Sequence, residues 1–190
     1  MSEINNIDEM MAMWNQLDQK LNGLQQENRK LAMEIKKNKY RTTLDKLVNK
    51  YGRFIVLELV YVILFPIFMI KCPFIVPKYR IVTIIYWTCF FAMEIGFDYY
   101  LMDRLKEIDV YECTISQIAR LARSNWKIHK LAIFIGLPFS IGGVVLVVLS
   151  LGGDSSLIWG VMVGLVVGLI IGLNQLRKFI NSYRLLQKED

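Results

Sequence analysis

The chain has 190 residues, 54% of them apolar, with a mean hydropathy of +0.35 and a net charge of +6 from 23 Lys and Arg against 17 Asp and Glu. So apolar a composition excludes an ordinary soluble domain unless the apolar residues are segregated, and they are. The basic balance does not indicate a nucleic-acid partner, because the cations sit where a membrane topology would put them.

Before the first apolar run, residues 7–38 carry a heptad pattern. Ile7, Trp14, Leu21, Asn28 and Ile35 occupy position a, and Met10, Leu17, Leu24, Leu31 and Asn38 position d, the 3.5-residue period of a coiled-coil seam. Asn6, followed by Asp8 and Glu9, supplies an N-cap and an acidic first turn. Asn28 at an a position costs stability but fixes register and favours two strands. In a parallel pair Glu34 at g would face Lys39 at e of the partner, whereas Trp14 is bulky for its place. Two readings stay open: self-association or capture of a partner helix, and packing on the protein's own helices. Leu17, Leu21, Leu24, Asn28, Leu31 and Ile35 are the candidate partner-binding residues. The pattern slips after Ile35 and resumes out of phase at Tyr40, Leu44, Leu47 and Tyr51, which predicts a bend or register change over 36–43.

Four nearly charge-free runs follow, at about 54–71, 81–102, 130–151 and 157–174, each long enough to cross a hydrocarbon core of about 30 Å. The predicted fold is therefore all-α: a four-span helical bundle (residues 52–190) preceded by a helical coiled-coil-type region (1–51). Of the 23 cations, twenty lie in the N-terminal region, between spans two and three, and in the tail. Only Lys71, Lys78 and Arg80 fall between spans one and two, and none between three and four. The positive-inside rule puts both termini in the cytoplasm of an inner-membrane protein. The polar, acidic start is not a signal peptide, so the first span is read as an uncleaved anchor.

Pro73 and Pro77 predict a turn between spans one and two, and Gly152-Gly153-Asp154 a tight loop between three and four. Between spans two and three, Leu105, Ile108, Tyr111, Ile115, Ile118, Ala122 and Trp126 recur at helical steps. The preferred picture for 103–129 is a helical hairpin, with span two running on to about 111 and Thr114 or Ser116 as N-cap. An interfacial helix carrying Arg120, Arg123 and Trp126 is the alternative. The tail 175–190, with Leu176, Ile180, Tyr183 and Leu186, continues span four.

Span four holds Gly160, Gly164, Gly168 and Gly172 at strict four-residue spacing, a helix-packing face. Its expected partner is span three, through Gly136, Ser140, Gly142 and Gly143, with a second copy or a pore as alternatives. Glu58, Glu94 and Asp98 are intramembrane carboxylates; the last two lie four apart, on one face of span two. Such groups turn to the bundle interior and seek partners, here Arg53, Arg104 or the hydroxyls of Tyr61, Tyr86, Tyr99, Thr83 and Thr88. They form either a structural cluster or a proton or cation site. His129, the lone histidine, is read as interfacial. Cys72, Cys89 and Cys113 are read as unpaired thiols, a Cys72–Cys72 bridge between protomers being the alternative. No phosphate loop, serine nucleophile or zinc signature is present, so neither an enzyme nor a cofactor nor a metal is expected.

Several blocks together resemble one family: Lys36–Tyr40, Leu44-Asp45-Lys46-Leu47, Lys50-Tyr51, Tyr99-Tyr100-Leu101-Met102, Asn125-Trp126-Lys127-Ile128-His129-Lys130 and Tyr183-Arg184-Leu185-Leu186-Gln187. The family comprises small four-span membrane proteins of Bacteroidota with an N-terminal coiled coil, some encoded near alternative sigma factors. The resemblance spans the whole chain and implies a membrane-bound regulator that sequesters a sigma factor, but transfers no site. The chain lacks the cysteine-and-histidine arrangement of zinc-containing anti-sigma domains. The function expected is thus non-enzymatic tethering of a protein partner or a second copy, with a small transporter or channel built on the carboxylates as the alternative.

Overall fold

The structure, a computed structural model, describes residues 2–187, with side chains from Met10 onward except Ala12. Four helices account for nearly all of it: α1 (Ser2–Lys71), α2 (Pro77–Lys106), α3 (Ile115–Ser150) and α4 (Ser155–Gln187), with no strand among the described residues. All four are long and apolar enough to cross a membrane.

The chain divides into two compact units, Met1–Arg41 and Thr42–Asp190, so residues 42–51 group with the bundle rather than with the N-terminal region. The backbone is helical without a break through 36–43, where the sequence predicted a bend or register change. The slip in periodicity marks a change in burial: residues 10, 11 and 13–35 are exposed, while Leu44, Leu47 and Tyr51 are buried. The helix already begins at Ser2, so Asn6 lies within it rather than capping it.

In the second unit the buried side chains gather at the ends of the helices. At one end Leu47, Tyr51, Leu101, Leu105, Ile118, Ala122, Phe179, Tyr183 and Leu186 form a continuous core. This is the hairpin end. There α2 stops at Lys106, short of 111, and the connection 107–114 leads into α3. Thr114 is the N-cap: its hydroxyl accepts from the Gln117 backbone N–H (3.3 Å), and the Gln117 side chain accepts from the Thr114 N–H (2.8 Å), a complete capping box. Asp109 supports the turn by accepting from the Tyr111 N–H (2.7 Å).

At the opposite end the segment after α1 is stitched to the α3–α4 turn. The Val76 N–H donates to the Ser150 carbonyl (2.8 Å), while Arg80 braces the connection itself by donating to the Ile75 carbonyl (3.1 Å). Gly152 and Gly153 have φ of 62° and 87°, a left-handed pair that only glycine adopts without cost. Between the two ends the spans face outward. No residue in the most apolar stretch of α4 is buried, as suits a surface solvated by lipid tails.

The closest pairing is α2 with α3, followed by α3 with α4. A side chain at Gly136 would collide with the Glu94 carboxylate, one at Gly142 would meet the Tyr86 hydroxyl at 2.7 Å, and one at Gly143 would meet Trp87 at 2.7 Å. Gly136, Gly142 and Gly143 of span three therefore receive span two. At Gly160, Gly164, Gly168 and Gly172 an added Cβ would enter open space; Gly164 and Gly168 line a cavity of about 1030 Å³ with Leu137, Ser140 and Ile141 of α3, so the face is not closely packed within one protomer. Four-residue spacing shows that a face is smooth, not which helix comes to it. Helix α1 meets α2 through large rings, Tyr61 on Phe91 and Phe65 on Trp87, both at 5.7 Å between centroids.

Candidate functional sites

Three features bring polar or recognition chemistry together. The first is the N-terminal seam. Trp14 (65% exposed), Leu17 (59%), Leu21, Leu24, Leu31 and Ile35 (69%) are all open to solvent, and Asn28 is exposed among them. Ile7 lies outside the described side chains. An isolated helix does not pack these side chains, and a stripe of this spacing becomes stable when a second helix covers it.

The second is a polar chain inside the core at the hairpin end. The Tyr51 hydroxyl lies 3.0 Å from His129 Nδ1 and 3.0 Å from the Tyr183 hydroxyl. Asn125 Nδ2 donates to the Tyr183 hydroxyl (3.2 Å) and to the Leu101 carbonyl (3.3 Å). All four helices thus contribute to one network. His129, half-buried at the start of span three, stacks on Phe179 (5.0 Å) and Trp126 (5.4 Å) beside that core. Burial pushes its imidazole down to about 4, pushes the Tyr183 hydroxyl up to about 12, and raises Tyr51 as well.

With His129 neutral the donors fall into order: Asn125 to Tyr183, Tyr183 to Tyr51, Tyr51 to Nδ1. Protonating Nδ1 puts a donor where the acceptor was, and one Tyr183 hydrogen is left without a taker. The folded state therefore disfavours the proton that a free histidine would bind. Stability from this source is complete above 6.5, the ordinary histidine value, and is lost as pH falls toward about 4. Thermal melts of the detergent-solubilised protein should weaken by up to about 3 kcal/mol across that window. His129→Asn, which keeps an acceptor but cannot titrate, should flatten the profile; an unchanged profile would remove His129 as its source.

The third feature is the carboxylate cluster. Glu58 and Glu94 line one cavity of about 350 Å³ with Phe90, Phe91, Gly136 and Ser140, while Asp98 lies outside its lining. Gly136 is what admits the Glu94 head to α3. The predicted arginine partners are not engaged. Arg104 turns to the Tyr100 hydroxyl (3.4 Å), and one buried oxygen of Glu58 has no hydrogen-bond partner. Tyr86, suggested as polar help, donates to the Phe139 carbonyl (2.7 Å). Glu94→Gln keeps shape and hydrogen-bonding capacity and is expected to fold nearly as well as wild type, within about 0.5 kcal/mol. A large loss of stability in detergent melts would show that the carboxylate itself holds α2 to α3.

Sequence reasoning missed the polar chain, although its trace is there: Asn125 and His129 continue the stripe begun by Ile118 and Ala122. It also passed over Pro66 and Pro138, each inside a span, where a backbone N–H is lost. The three cysteines are free. No group of His, Cys, Asp and Glu among the described residues has metal-binding geometry.

No protein-family model, curated protein or solved structure matches the chain.

Proposed function

We propose that this protein is a non-enzymatic, membrane-tethered interaction device of the inner membrane with both termini in the cytoplasm. The four-span bundle fixes its position. The heptad seam through Leu17, Leu21, Leu24, Asn28, Leu31 and Ile35 captures a second copy or a cytoplasmic regulator, for which a sigma factor is the candidate. The observation that supports this reading is the open seam: large apolar side chains at a and d positions with nothing over them. A membrane anchor needs no such helix, and a solvated helix needs no such stripe. The bare glycine face of α4 suits close approach of a second copy within the bilayer and supports the homo-oligomeric form of the same reading.

The test is a crosslinked pull-down from native membranes with and without residues 1–38. Tethering predicts that the captured species vanishes with the deletion while the remaining chain still inserts.

A second reading, a small transporter or channel, draws on the shared cavity of Glu58 and Glu94. The two separate cleanly. Glu94→Gln with Asp98→Asn would abolish transport and leave capture intact, whereas the deletion would do the reverse.

A further inference from the structure

Beside the core, α1 and α2 part to leave a cleft of about 880 Å³. Arg53 and Lys106 stand at it, and Val56, Leu57 and Met102 form its apolar wall. Gly52 lines it as well, and a methyl there would stand at ordinary van der Waals distance from Met102 Sδ (3.9 Å), so a larger side chain would project into the cleft. The cations lie where the first apolar run begins and just beyond where the second ends. We propose that this cleft seats one anionic phospholipid, its phosphate between Arg53 and Lys106 and an acyl chain along Val56, Leu57 and Met102.

The argument is one of charge and depth. Neighbouring cations are engaged: Lys50 lies over the Phe179 ring (4.9 Å) and Arg104 over Tyr100 (5.7 Å). Arg53 and Lys106 are exposed and, among the described residues, neither forms an ion pair or hydrogen bond. Asp103 and Glu107 are near Lys106 in sequence but do not pair with it. Two uncompensated cations at the boundary of the hydrocarbon, above a greasy wall, match a molecule that is anionic at one end and aliphatic at the other. A free phosphate would use the cations and waste the wall; a zwitterionic lipid would use the wall and bring its own cation to two others.

The proposal rests on the four-span reading, and the experiment separates the two. Full-length protein is purified in detergent and titrated with phosphatidylglycerol or phosphatidylcholine of identical chains, with bound lipid counted by native mass spectrometry. Wild type is expected to hold one phosphatidylglycerol with clear preference over phosphatidylcholine. Arg53→Gln with Lys106→Gln should weaken it about twenty-five-fold, at about fivefold for each cation. Gly52→Leu, which fills the cleft and leaves both charges, should lower occupancy of either lipid. Arg120→Gln with Lys127→Gln removes equal charge elsewhere and should change nothing. Equal binding of the two lipids, equal loss in the two double variants, or displacement by millimolar inorganic phosphate would each overturn the site. A protein that stays monodisperse without detergent would instead overturn the membrane reading itself.

Discussion

Replacing Tyr51 by Ala is expected to destabilise the bundle by about 3–5 kcal/mol, the cost of emptying a buried ring site. Tyr51 is fully buried, packs on Phe179 (5.1 Å between centroids) and places its hydroxyl between His129 and Tyr183. Tyr51→Phe separates the two contributions. The ring stays, but Nδ1 loses its donor and Tyr183 its acceptor, a loss of about 1–3 kcal/mol. Tyr183→Phe should cost a similar amount. The double variant should cost less than the sum, because each single change already breaks the shared bond. Thermal or denaturant unfolding in detergent measures all four. If Tyr51→Phe melts like wild type, the polar chain contributes nothing and the rings alone hold the end together.

The second large effect concerns the seam. Leu21→Glu with Leu24→Glu puts carboxylates on both the a and the d line of the helix. Burying a leucine is worth about 1.5–3 kcal/mol, so two per chain should weaken association at least a hundredfold. These side chains are already exposed in the free helix, so the bundle should melt as before. Asn28→Ile should act in the opposite direction, tightening association while loosening its preference for two strands. Crosslinking in membranes, followed by gel electrophoresis, reads both. Undiminished capture by the doubly charged variant would mean that the partner docks elsewhere.

The spans were legible because lipid imposes a hard rule: a crossing helix must be long, apolar and uncharged, and that pattern survives in any sequence. The hairpin was legible for a related reason, since Leu105, Ile108, Ile118 and Ala122 recur as one buried stripe. Its exact stop at Lys106 was not, because the apolar period carries on to Tyr111 in a turn held by Asp109. Tyr51, Asn125, His129 and Tyr183 escaped because three parts of the chain must meet before they form a network. Tyr51 and Tyr183 are 132 residues apart. The glycines of α4 did not disclose their partner for the opposite reason. Their regularity is local, but the identity of the approaching helix is not, and α3 had already given its own glycines to Glu94, Tyr86 and Trp87.

Helix α4 is anchored at Phe179, Tyr183 and Leu186 and by the paired glycines of the turn before it, with a middle that no neighbour buries. Mechanically this is a strut pinned only at its tips. Sideways force on its midpoint, from thicker lipid or a companion strut, is resisted by nothing along the way and is delivered to the pins. The pin at the far tip is Tyr183, whose hydroxyl is shared with Tyr51 on the same helix that carries the seam.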